Sequence, residues 1–170
     1  AALSRGLAVF CQKPLARTAH ETRQVIEVAR RFDRLLGVDL SYRRLDGAGK
    51  IRNLLLDNAL GKTVAAELVF HNAYGPDKAW FYNPTISGGG CVIDLGIHLI
   101  DLALWCLNFP RVAEVNSRLF REGQPLPNAS EQIEDFAMVQ MLLESGIVVQ
   151  ISCSWKLPAG CNAVISGSFY

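Results

Sequence analysis

Apolar residues recur along this chain at two different spacings, and the change from one to the other divides it. In the first part the spacing is helical between short apolar runs. Leu7–Cys11 reads as a buried strand, followed by the turn Gln12-Lys13-Pro14-Leu15. Thr18 and Glu21 form a capping box, and Val25, Val28, Ala29 and Phe32 supply the core stripe of the helix that follows. Leu36–Tyr42 reads as the next strand, and Ala1–Arg5 as the last turn of a helix closed by Gly6. Helix, strand, helix, strand is the rhythm of a parallel α/β sheet.

A half-polar helix is predicted from Lys50 to Leu60, ended by Gly61, and beyond it the period becomes two. Thr63–His71 reads as a long strand and residues 72–84 as an irregular aromatic loop. Four further strands are predicted near Val112–Arg121, Glu134–Glu144, Ile147–Trp155 and Ala163–Tyr170, separated by Pro and Gly clusters. In the third of these, Ile147, Val149, Ile151, Cys153 and Trp155 face one way, with Gln150, Ser152 and Ser154 opposite. That alternation predicts a mainly antiparallel sheet with helices against one face. The expected organisation is a remnant of a parallel, Rossmann-type sheet over residues 1–45 and a sheet domain over residues 46–170, with the boundary near Tyr42–Gly49.

Between the two periodic regions lies the most apolar stretch, Ser87–Asn108. Gly88, Gly89 and Gly90 lead into a helix whose stripe is Ile93, Ile97, Ile100 and Leu104. The neighbouring stripe carries Asp94, His98, Asp101 and Trp105. A carboxylate and an imidazole one turn apart can reach one small molecule. Burying three ionisable groups in an apolar segment is costly without partners or purpose, so a site outweighs a satisfied core histidine here.

Composition narrows the classes. Half the residues are apolar, 19% are charged and the net charge is +1, an ordinary globular balance. There is no basic block and no aromatic-basic repeat, so nucleic acid and anionic membranes are poor partners. Asp94, His98 and Asp101 argue against a membrane span in the apolar stretch. Five scattered cysteines without a C-x-x-C pair point to reduced thiols and a cytoplasmic setting, not a disulfide framework or a metal site.

QKPLA after a short strand, a strand ending SYR, HNAYGPDKAWFYNP and GGGCVIDLGIHLIDLALW together resemble the glucose–fructose oxidoreductase / inositol dehydrogenase / MocA-like family, in order and spacing, across the whole chain. The resemblance implies a Rossmann domain followed by a domain with a large, open, predominantly antiparallel sheet. It implies NAD or NADP as cofactor, a sugar, polyol or related compound as substrate, and a homo-oligomer paired through the open sheet face. Carried over by position, Lys13, Asp94 and His98 are the catalytic residues. Lys13 lies beside nicotinamide and substrate hydroxyl, Asp94 holds substrate, and His98 is the usual proton acceptor. Gln12, Lys13 and Pro14 are the cofactor-binding turn, with Gln12 standing where the family has glutamate.

Tyr42, Arg43, Trp80 and Asp94 are candidates for substrate contact. Trp80, Phe81 and Tyr82 either line a sugar pocket or plug a loop, and Asp101 either orients His98 or forms a helix-surface salt bridge. Asp77 and Lys78 read as a solvated pair. No G-x-G-x-x-G occurs in the chain, so the resemblance implies a chain incomplete at its N-terminus. The alternative is a cofactor-free oligomerisation or binding module derived from the family's C-terminal sheet.

Overall fold

The computed structural model describes residues 1–128, 131–157 and 160–168. A 3-10 turn, Leu3–Arg5, is stopped by Gly6 in the left-handed region. Then come β1 (Val9–Gln12), α1 (Ala19–Arg31) and β2 (Leu36–Asp39); the strands pair in parallel, with Val9 opposite Leu36 and Gln12 opposite Asp39. Thr18 caps α1 by accepting from the Glu21 N–H at 3.1 Å. The Glu21 carboxylate accepts from the Arg17 N–H instead of completing the box at Thr18. Only Ala29 of the expected α1 stripe is buried; Val25 and Val28 are half-buried and Phe32 is exposed. A two-stranded sheet offers too little surface to cover that stripe.

Two boundaries differ from the pattern. β2 ends at Asp39, so Tyr42 and Arg43 stand on a 3-10 turn, Ser41–Arg44, and not at a strand end. The following helix, α2, runs over Asp46–Leu56, earlier than the predicted 50–60. Gly47 and Gly49 are weak helix formers and mask its start, which Asp46 in the first turn favours.

β3 (Lys62–His71) leads to a 3-10 turn (Ala79–Tyr82), the short helix α3 (Pro84–Ser87), a π-helical turn (Val92–Gly96) and α4 (Ile97–Cys106). β4 (Val112–Arg121), β5 (Gln124–Pro125), β6 (Phe136–Leu143), β7 (Val148–Ser154) and β8 (Gly160–Ser168) complete the described chain. Residues 169–170 of the last predicted strand lie outside the described residues. The second sheet has six strands in the order β5-β4-β6-β7-β3-β8. Every neighbouring pair is antiparallel except β3 with β7. A parallel strand pair followed by a large, mainly antiparallel sheet is the predicted fold class.

One face of this sheet carries the core. Leu95, Leu99 and Ala103 of the helical segment pack on Ala66 and Leu68 of β3, Ala137 and Met141 of β6, and Val149 and Ile151 of β7. Gly96 packs tightly against β7: a Cβ on Gly96 would stand 3.3 Å from Cys153 Sγ. Cys91 and Cys153, scattered in sequence, meet here as free thiols with 3.8 Å between their sulfurs. Their mutual hydrogen bonding and their burial push the Cys91 thiol far above its ordinary pKa, so it packs as a small apolar group. The opposite face exposes Glu67, Gln140 and Gln150, with Met138 among them.

Candidate active site

The turn after β1 and the π-helical turn over the second sheet meet at one point. Lys13, whose peptide bond to Pro14 is cis, extends its ammonium to Asp94. It donates to Asp94 Oδ1 at 2.9 Å and also to the main-chain carbonyl of Asp94. Both side chains keep less than a fifth of their surface in solvent. The second carboxylate oxygen, Oδ2, accepts from the Trp155 indole N–H at 3.0 Å. Asp94 therefore ties the first strand to the far end of β7.

The geometry of the helix makes this possible. Within Val92–Gly96 the turn is one residue wider than an α-helix, and the Ile97 N–H donates back to the carbonyl of Val92. A turn of that width can open a carbonyl to an outside donor, and at Asp94 that donor is Lys13. The start of the segment is held from the sheet side by Glu134, which is 3% exposed. Its carboxylate accepts from the N–H of Gly90 at 2.8 Å and of Val92 at 3.0 Å, and its main-chain carbonyl accepts from Cys91 N–H. Burial raises the Glu134 pKa against the opposing pull of those N–H donors. The approach requires glycine at position 90, because a Cβ there would overlap the Glu134 carbonyl. At Gly88, with φ 79°, a Cβ would stand 2.9 Å from the Arg17 backbone.

A cleft of about 590 Å³ opens beside the Lys13–Asp94 pair, lined by Gln12, Lys13, Pro14, Trp80, Ile93 and Asp94, among others. It lies at the C-terminal end of β1, the side on which open α/β sheets hold ligands. Gln12 donates from its amide to Asp39 Oδ2 at 2.8 Å, across the parallel strand pair. Trp80 and Phe81 stack with ring centroids 3.8 Å apart, and both line the cleft. Tyr82 turns away, donating to the Pro76 carbonyl and packing against Trp155.

His98 lies one turn beyond Asp94. Its ring stacks on Tyr42, with centroids 4.4 Å apart and planes 14° from parallel. Burial lowers its pKa, and the Lys13 ammonium lowers it further, against the pull of Asp94, Asp101 and Asp39. Asp101, one turn further, is not turned toward the imidazole. It takes Arg43 in a two-point pair, Nε to Oδ2 at 2.7 Å and Nη2 to Oδ1. Its side chain is only 10% exposed, so this is no surface bridge. Of the predicted site residues, then, Gln12, Lys13, Pro14, Trp80 and Asp94 share the cleft. Tyr42 and His98 form a stack next to it, and Arg43 is engaged with Asp101.

Trp155 and Glu134 were not singled out from the pattern. Each carried a signal: a buried indole N–H needs an acceptor, and an acidic Glu134-Asp135 pair opening an apolar strand needs donors.

A lysine from the turn after β1 and a carboxylate from the helical turn over the second sheet thus meet beside a cleft at the end of a parallel strand, in an α/β chain with two sheets. The chain belongs to the GFO/IDH/MocA family: the GFO/IDH/MocA C-terminal domain matches residues 49–168. It is 32% identical to D-glucoside 3-dehydrogenase of Escherichia coli (strain K12), over 99% of this chain and 51% of that protein. It is 29% identical to 1,5-anhydro-D-fructose reductase of Ensifer adhaerens, over 88% of this chain and 44% of that one. The chain thus spans about half the length of the curated relatives it matches. Among solved structures, GenD2 from gentamicin A biosynthesis in complex with NAD superposes with a TM-score of 0.84 at 25% identity, over 96% of this chain and 46% of that one. Levoglucosan dehydrogenase in complex with NADH and levoglucosan shares the fold, with a TM-score of 0.85 at 21% identity over 98% of this chain and 47% of that one.

Proposed function

We propose that this chain forms the substrate side of an NAD(P)-dependent oxidoreductase site acting on a hydroxyl or carbonyl carbon of a sugar, polyol or related compound. The observation that carries this reading is the convergence of Lys13 and Asp94, distant in sequence, at the cleft that Gln12, Pro14 and Trp80 also line. The residues fit a nicotinamide end: an aromatic wall, the apolar side chain of Ile93 and an amide at Gln12 suit a flat carboxamide-bearing ring. When bound, that cofactor supplies or takes a hydride. The chain's own residues hold the ligand oxygen. Lys13 presents a cationic donor to it, Asp94 keeps that donor aimed, and Trp80 offers a face to a sugar ring.

The names of the relatives support the substrate class, and their greater length supports a longer protein that supplies the pyrophosphate-binding glycines. Residues 1–45 would then be the end of the cofactor domain and residues 46–170 the substrate and assembly domain.

Thermal unfolding with and without NAD(H) and NADP(H) tests the reading. A dinucleotide at 100 times its dissociation constant is expected to add about 2.7 kcal/mol to the stability of the folded chain. Lys13→Ala is expected to remove most of that shift. No shift with any dinucleotide, in a cooperatively unfolding protein, would exclude catalysis by this chain alone and leave it either a part of a longer enzyme or a cofactor-free assembly module.

A further inference from the structure

We infer that Trp155 is a positioning residue of the site: its indole N–H fixes the Asp94 carboxylate so that the other oxygen is aimed at Lys13. This rests on the site reading above, in which the Lys13 ammonium is presented to the ligand. A carboxylate turns about its Cβ–Cγ bond over a broad torsion, so a partner on one oxygen alone leaves its plane loose. Asp94 has a donor on each oxygen, Lys13 at Oδ1 (2.9 Å) and Trp155 at Oδ2 (3.0 Å). Among the described residues Oδ2 has no other donor. Of the two partners, the lysine stands on a flexible stem and the indole is a rigid ring. The indole sets the plane, and the ammonium follows it.

The mounting of the ring supports this order. Trp155 is 1% exposed, the bulkiest fully buried side chain among the described residues. Its main-chain N–H donates to the Asp135 carbonyl at 2.9 Å, just past the end of β7. Tyr82 packs on the indole with centroids 5.5 Å apart, and Phe81 meets it edge-on at 6.5 Å. A Cβ on Gly75 would stand 3.6 Å from Trp155 Cβ and overlap the Tyr82 hydroxyl, so the loop closes over the ring on that side too. A buried indole N–H without an acceptor is costly, and Asp94 is the acceptor it has. Phe81 in turn lines the cleft and stacks on Trp80. One buried ring, itself outside the cleft lining, thus backs both the Lys13–Asp94 pair and the aromatic wall. Support of this kind keeps a binding constellation in its productive geometry.

The experiment compares acetylation by acetic anhydride, read lysine by lysine by mass spectrometry, in the unmodified chain and in one carrying 3-benzothienylalanine at position 155. That residue keeps the shape of tryptophan and puts sulfur in place of the ring N–H. Release of the ammonium is expected to speed acetylation of Lys13 about tenfold, as loss of one hydrogen bond to a charged group would, with Lys50, Lys62 and Lys156 unchanged. Trp155→Phe gives the same comparison by ordinary mutagenesis. An unchanged Lys13 rate would overturn the inference, because the ion pair would then hold without the indole. An equal rise at every lysine would overturn it too, because Trp155 would then only pack the core. On an Asp94→Asn background the benzothienyl replacement is expected to add nothing at Lys13. A further increase there would show a route that bypasses Asp94 and count against the inference. The readout uses neither cofactor nor substrate. A failure of the dinucleotide shift would therefore count against the oxidoreductase reading and leave the labelling result standing.

Discussion

Asp94 does three things with one side chain and one carbonyl. It accepts twice from Lys13 and once from Trp155, and it does so inside the widened turn. Asp94→Asn keeps the shape, leaves the Lys13 ammonium facing a neutral amide, and can set an NH₂ against the indole N–H. Loss of one charge-assisted bond in this partly buried setting is expected to cost about 1.5–3 kcal/mol, read by urea denaturation. Trp155→Phe, which removes a neutral donor to the same carboxylate, is expected to cost less on the hydrogen-bond account.

Glu134 gives the helical segment its starting point, and at the scale of elements that is also a pH sensor for the fold. Burial raises its pKa above the ordinary carboxyl value of 4.5. The native state therefore binds this proton more tightly than the unfolded chain, and stability falls as pH rises from about 4.5 through the folded pKa. Glu134→Gln, which has no proton to lose, is expected to flatten that part of the stability–pH curve relative to the parent protein. Parallel curves in denaturation series between pH 4 and 8 would contradict the assignment. Elements were unevenly legible in the sequence. The apolar–polar pattern placed β3, β4, β6 and β7 within a residue or two of their observed ends; β3, β6 and β7 each bury one face, whereas β4 is exposed along most of its length. The widened turn at Val92–Gly96 left no mark in the apolar spacing, since the helix is apolar on most sides there. Lys13 and Asp94 were nameable as candidate site residues, yet Glu134 and Trp155 were not, because their role is a hydrogen bond that only the folded sheet creates. For the same reason the partner of Asp101 came from a 3-10 turn that reads as a strand end.

Across the whole molecule, the sheet has one face under helices and one face open. On the open face Met138 is 55% exposed, between polar neighbours such as Gln140. Subunit pairing through this face is our proposal for assembly, with Met138 as its apolar point of contact among polar side chains. Met138→Glu is expected to shift sedimentation equilibrium toward monomer without lowering the unfolding temperature of the monomer. An unchanged association constant would place the contact elsewhere.

The position of β3 also has a consequence in time. It is made early, yet its two neighbours are β7 and β8: Ala66 sits opposite Val149 on one side and Ile165 on the other. On a ribosome adding ~5–20 residues per second, β3 waits roughly 4–16 s before either neighbour exists. The β4–β6–β7 antiparallel run, by contrast, joins strands much closer in sequence, β6 and β7 being consecutive. Pulse-labelled hydrogen exchange during refolding is therefore expected to protect β6 amides before those of β3. Until β7 and β8 emerge, both edges of a mostly apolar strand stand open on the nascent chain, a natural place for a chaperone to hold it.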